Sequence, residues 1–327
     1  MFAAGRKPKS RTMRSALLRR GSFATFMLLL SQPADALAVS PSCDRTCLSH
    51  LAERYLDALA GHRPQSLPLA RDIRFSENGV ALSIGDALWA TVSSIANRGS
   101  IAIDPAAHSV ALLATVREGS RPALLAARIT ARGKQIAAIE TVVVRRETAT
   151  FLSADGFARP VDAKPLPSPA PRAQLRDAAA RYFAALVQPG ELIPPFDATC
   201  ERVENGVRTT NNPDPLPGVS PSPLNPAMTS LGCGEQFKRG RLRFVSKVRE
   251  LRYPVIDTAN GVVAAFGMFD HDGRQHGVAA GQAVSNTLQS PFSFAIAEFF
   301  VIRDGKIKHI EAALSQVPIG LKAPWQP

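Results

Sequence analysis

Glu298 is the residue whose setting most resembles that of a proton-transfer group. It sits in Phe294-Ala-Ile-Ala-Glu-Phe-Phe-Val-Ile302, where strand alternation puts it on one face with Phe294, Ile296, Phe300 and Ile302. Removing a carboxylate from water raises its pKa toward neutrality, which suits a general acid or base. The competing reading is a buried ion pair with a neighbouring arginine such as Arg241 or Arg243. A second candidate is Asp270-His271-Asp272, reached through Phe266 and Met268, which alternate with Asp270 on one strand face. A histidine between two acids can be held in one tautomer and shuttle a proton, although Asp-His-Asp-Gly also reads as a solvated turn. His309 is expected on the face of Ile307 and Glu311, where it could bond to Glu311 or stand as a lone, partly exposed histidine beside Lys308. With Phe266, Met268 and Phe300 it completes a candidate substrate-binding set around the catalytic candidates Glu298, Asp270 and His271. The chain has no nucleophile elbow, phosphate loop, Cys-x-x-Cys or metal-type histidine cluster, so no cofactor and no metal is expected.

Glu298 lies in the first arm of a hairpin turning at Asp304-Gly305, among the strongest short hairpin signals. An earlier version runs through Arg132-Gly133, placing Ile136-x-x-Ile139-Glu140 over Ile307-x-x-Ile310-Glu311. More matches follow in the same order. Arg54-Tyr55-Leu56 recurs as Arg181-Tyr182-Phe183, Glu77-Asn78-Gly79-Val80 as Glu204-Asn205-Gly206-Val207, and Ile103-Asp104 as Ile256-Asp257. The chain therefore reads as two copies of one unit, the second lengthened by insertions near 208–233 and 271–291; the latter, with His276, Gly277 and Gly281, is a flap candidate. Polar residues common to both copies (Glu77/Glu204, Asn78/Asn205, Asp104/Asp257, Glu140/Glu311) are expected to serve folding. Glu298 answers to Ala127, so the fold does not require it.

The formal charge of +12 falls to +6 once the first 38 residues, with seven basic side chains and one acidic, are set aside. What remains has no basic block, and nucleic-acid binding is not expected. Residues 1–38 read as a secretory signal: a basic start, the apolar run Phe23–Leu30, and Ala36-Leu37-Ala38. The run is too short to span a membrane. Export to the periplasm or beyond makes disulfides of Cys43, Cys47, Cys200 and Cys233. Three connectivities are possible, and spacing favours 43–47 with 200–233.

The order helix, Asn-Gly strand, short helix, four-strand meander and Asp-Gly-Lys-Ile-x-x-Ile-Glu resembles the nuclear transport factor 2-like superfamily, particularly its SnoaL-like branch. The residues that carry the resemblance are Tyr182–Leu186, Glu204-Asn205-Gly206, Ala297-Glu298-Phe299-Phe300 and Asp304-Gly305-Lys306-Ile307; Val317-Pro318 and Pro324-Trp325 point to an exported tandem group. It implies an α+β fold of two cone-shaped domains, each with N-terminal helices on a strongly bent antiparallel sheet. The boundaries expected are 39–150 for a structural first domain, 151–171 for a proline-rich linker, and 172–327 for a second domain with the pocket. The function implied is small-molecule binding, with cofactor-free lyase, dehydratase or isomerase chemistry on a hydrophobic molecule. The alternative is a non-catalytic binding or scaffolding module. The partners expected are that molecule and, in a homodimer, a second copy, with no membrane after signal cleavage.

Overall fold

The computed structural model describes residues 42–153, 157, 164–188, 192–214, 229–239, 242, 244–274 and 290–325. The expected signal segment, residues 154–156 and 158–163 of the expected linker, the insertion residues 215–228 and 275–289 with His276, Gly277 and Gly281, and the arginines Arg241 and Arg243 lie outside them. The elements below belong to the unit Ser40–Pro327.

Helix α1, Arg45–Ala60, starts where the Asp44 side chain accepts from the Cys47 N–H at 2.8 Å, beside the Cys43–Cys47 disulfide. Leu48, Leu51, Tyr55 and Leu59 form its buried stripe. Strands β1 (Leu69–Glu77) and β2 (Val80–Leu82), the short α2 (Leu88–Thr91), then β3 (Ser94–Asp104), β4 (Ser109–Glu118), β5 (Arg121–Arg132) and β6 (Gln135–Val144) complete the first half. The second half repeats the order with α3 (Arg172–Val187), β7 (Phe196–Glu204), β8 (Val207–Arg208), α4 (Cys233–Lys238), β9 (Lys247–Asp257), β10 (Val262–His271), β11 (Phe292–Arg303) and β12 (Lys306–Val317). Cys200 and Cys233 form the second disulfide and tie α4 to β7. Two disulfides fit an oxidising, extracytoplasmic compartment.

The result is an α+β architecture of two six-stranded sheets, ordered β2-β1-β6-β5-β4-β3 and β8-β7-β12-β11-β10-β9. Each sheet is mixed, not wholly antiparallel as expected. β1 joins β6, and β7 joins β12, in parallel, because a whole meander separates the partners in sequence. Asn78 and Asn205, both in the left-handed region at φ 50° and 47°, make the tight turns after β1 and β7. The Asn78 amide exchanges hydrogen bonds with the backbone of Val143, and Asn205 does the same with Leu314. The Asp304-Gly305 turn forms as the pattern predicts, with φ of 51° and 73°.

Both faces of each sheet are buried. One face of the first sheet packs on α1 through Phe75, Leu112, Ile129 and Ile139. The equivalent face of the second packs on α3 through Val263, Ile296, Phe300 and Ile310. The opposite faces meet each other in a third apolar cluster that includes Leu113, Leu124, Val144, Phe266, Met268 and Phe299. This explains why the strands read as nearly continuous apolar runs. Trp325 closes that layer: its indole N–H donates to Ser76 Oγ at 2.7 Å, and the guanidinium carbons of Arg74 and Arg128 lie 4.5 and 4.9 Å from its ring centre.

The halves exchange arginines at one end. Arg45, first residue of α1, pairs with Asp257 at the end of β9, while Arg172, first residue of α3, pairs with Asp104 at the end of β3, at 2.7 Å. Asp257 also accepts from the Ile103 N–H at 3.0 Å, and Asp104 from the Ile256 N–H at 2.8 Å. Both aspartates are essentially inaccessible to water. Asp257→Ala or Asp104→Ala should therefore cost about 2–4 kcal/mol, since each leaves a cation and a backbone N–H without an acceptor. Arg45→Ala and Arg172→Ala, at half-exposed arginines, should cost less and nearly equal amounts. Denaturant unfolding of the four variants checks both the size and the symmetry.

Candidate functional site

Glu298 is 1% exposed, on the α3 side of the second sheet. Its row across the sheet is Ala265, Glu298, Ala312 and Glu204, on β10, β11, β12 and β7. The matching row in the first sheet is Leu112, Ala127, Thr141 and Glu77. The long acidic side chain thus stands between two alanines, where the first half has a small residue between larger ones. The next row is Val263, Phe300, Ile310 and Arg202, against Val110, Ile129, Ile139 and Phe75. Two exchanges, Ala127 for Glu298 and Phe75 for Arg202, turn an apolar interior into a polar one.

Arg202 is fully buried. Its Nε donates to Glu204 Oε1 at 2.9 Å and lies 3.4 Å from Thr209 Oγ1, and Nη2 donates to Gln236 Oε1. Gln236 is oriented in turn by the backbone carbonyls of Thr209 and Leu231. Tyr182, from α3, lies close enough to Arg202 and Glu298 to interact electrostatically with both, and its ring packs on Phe183, Phe196, Phe237 and Phe300. Among the described residues, Glu298 Oε2 and Arg202 Nη1 have no hydrogen-bond partner. Burial pushes the Glu298 carboxyl up to about 8, and the Glu204 charge adds to the effect; Arg202 and Tyr182 oppose it. Glu298 is therefore largely protonated at neutral pH and can give a proton near pH 7 or take one above it.

The other candidates are spread over both faces. Phe300 lies beside Tyr182, on the Glu298 side. His271 also faces that side, with Nδ1 2.8 Å from the Phe244 carbonyl oxygen and its ring against Phe244 and Phe292. Asp270 points the other way and is held by both arms of Arg249 (2.6 and 2.8 Å) and by the Ser293 hydroxyl at 2.7 Å. Despite the opposing cost of burial, the largest single influence, these bonds keep its carboxyl below the usual range. Phe266 and Met268 pack against the first sheet. A bulge between Ile307 and His309 puts Ile307 on the α3 side and moves His309 and Glu311 to the sheet-to-sheet side, correcting the shared face expected for all three. Burial lowers the His309 pKa, and it raises that of Glu311 to about 7, against the single hydroxyl bond from Ser100 at 2.9 Å.

Arg202 and Gln236 escaped the sequence reading, which met Tyr182 only as a marker of the repeat and of the resemblance. The comparison that singled out Glu298 also sets Arg202 against Phe75, and an arginine replacing a core phenylalanine was the available signal. Among the described residues, no three His, Cys, Asp or Glu side chains converge on a metal position, and no helix is long and apolar enough to cross a membrane.

A family described as a domain of unknown function, DUF8021, matches residues 168–314. No curated protein matches the chain. Among solved structures, the chain is similar to a de novo designed protein with a curved β-sheet, at 15% identity over 31% of this chain and 87% of the other, with a TM-score of 0.27. A protein from Sphaerobacter thermophilus aligns at 19% identity over 29% and 94%, TM-score 0.25. A de novo designed protein of the nuclear transport factor 2 fold aligns at 15% over 32% and 88%, TM-score 0.24.

The two raised carboxyls set the pH dependence of stability. A folded-state pKa above the unfolded value contributes stability that is complete below about 4.5 and disappears as pH rises through the folded value, here about 8 for Glu298 and about 7 for Glu311. Between pH 5 and 8.5 the two groups together should cost the protein on the order of 6 kcal/mol. His309, with its lowered pKa, acts in the opposite direction below its ordinary range. Glu298→Gln and Glu311→Gln should each flatten the decline, and urea unfolding at stepped pH measures it.

Proposed function

We propose that the chain is an exported protein of two nuclear transport factor 2-like domains, the second binding a hydrophobic small molecule at Glu298, Tyr182 and Arg202. Glu298 serves there as a cofactor-free general acid and base, the chemistry of a lyase, dehydratase or isomerase. The observation that carries this reading is the pair of uncompensated polar atoms, Glu298 Oε2 and Arg202 Nη1, in an interior that the first half fills with Ala127 and Phe75. Leaving such groups unpaired costs stability, and folding alone gives no reason to keep them. His271 faces the same side and can assist, whereas Asp270 is engaged by Arg249.

The second reading, a non-catalytic scaffold, is favoured by one observation: the first half contributes an entire sheet face and two buried aspartate pairs to the second. Glu298→Gln separates the two. It keeps the shape and one acceptor but loses the titration, and among the described residues no charged partner is bonded to Glu298. At pH 6 the variant should melt within about 2 °C of the wild type, a change well under 1 kcal/mol. With N-phenyl-1-naphthylamine as a neutral apolar probe, wild-type affinity should weaken as pH passes 8, and the variant's should stay level. A large thermal loss with an unchanged pH profile of probe binding would end the acid-base reading and leave the scaffold.

A further inference from the structure

Arg202 is the least expected side chain in the molecule. A guanidinium in a β-strand facing an apolar core is costly unless every donor is used, and here one arm is not. The other arms are fixed. Glu204 holds Nε, Gln236 holds Nη2, and α4, which carries Gln236, is anchored to β7 by the Cys200–Cys233 disulfide. The Arg202 backbone N–H is also taken, by Thr210 Oγ1 at 2.7 Å. The guanidinium is therefore locked in one pose, with Nη1 left over in a side chain that interacts electrostatically with Tyr182 and Glu298. That is the arrangement of a preformed donor.

We infer that Arg202 selects the ligand, Nη1 donating to a neutral carbonyl oxygen on an otherwise apolar molecule. The inference rests on the small-molecule site proposed above and adds the polar feature the molecule must carry. A carbonyl fits better than a carboxylate because the positive charge of Arg202 is already balanced by Glu204 at 2.9 Å. A ligand anion would enter as an unbalanced buried charge, next to Glu204 and to a carboxyl that would have to stay protonated. The apolar remainder of the ligand is suited by Phe183, Phe269, Phe300 and Tyr253, whose rings lie on the same side of the sheet. Arg202 is in this reading a binding and specificity residue, and Glu298 remains the proton-transfer group.

The test uses the oxidised full chain and three probes of one size: acetophenone, ethylbenzene, which lacks the oxygen, and benzoate. Titrations at pH 6.5 followed by ligand-observed NMR should show acetophenone binding about tenfold more tightly than ethylbenzene, with benzoate weakest, as expected for one hydrogen bond to a buried charged donor. Arg202→Met should bring acetophenone and ethylbenzene to equal affinity. Because Arg202→Met strands Glu204, the double variant Arg202→Phe with Glu298→Ala, which restores the first half's pair, is measured beside it. Should neither variant fold, the wild-type series still decides. Equal wild-type affinities for acetophenone and ethylbenzene, or tightest binding of benzoate, would overturn the role of Arg202 while leaving the site. Failure of both neutral probes to bind would instead remove the site itself.

Discussion

The whole assembly depends on two buried carboxylates, each neutralised by the other half. Asp104 and Asp257 end equivalent strands, sit out of contact with water, and would be intolerable without a cation. The cation comes from the first residue of the opposite half's leading helix, and the same carboxylate accepts a backbone N–H from the opposite strand. One pair would tether the halves; two related pairs fix their angle and register together. Only with that registration do the apolar outer faces of the sheets meet residue for residue.

The matched pairs make the mismatches informative. Glu140 is clamped by Arg128 from its own sheet and by Arg252 from the other, with N···O distances of 2.9–3.0 Å. Among the described residues its counterpart Glu311 has only the Ser100 hydroxyl, because Phe299 stands where Arg128 would be. In the interiors the asymmetry runs the same way: the first half is closed with Phe75 and Ala127, the second holds Arg202 and Glu298. The second half has thus gained one buried carboxyl, Glu298, and left the shared one, Glu311, without its arginines, where the first half keeps Ala127 and a clamped Glu140. This is the division expected when one partner supplies rigidity and the other carries the site.

Much of the fold was legible from turns and periodicity. Asn-Gly marked the β1–β2 and β7–β8 turns, Asp-Gly the β11–β12 turn and Arg132-Gly133 the β5–β6 turn, and alternation placed Glu298 among Phe294, Ile296 and Phe300 correctly. The parallel pairing of β1 with β6 was not legible, since nothing local in either strand records which distant edge it meets. His309 was misplaced for a related reason: a single bulge residue at Lys308 inverts the alternation, and no glycine or proline announces it. Asp270 illustrates a third limit. Its alternation with Phe266 and Met268 was right, but a strand buried on both faces gives no clue to which face looks at the helix.

Trp325 has a consequence for how this chain must come into being. Its indole bonds to Ser76, 249 positions earlier, and Arg45 reaches Asp257 across 212 positions. Contacts this remote close very large loops, which form late in folding. High contact order of this kind slows folding and lengthens the time that sheet edges and apolar faces stay uncovered. During that interval the first half resembles an unfinished sandwich, one face of its sheet still without the layer that covers it.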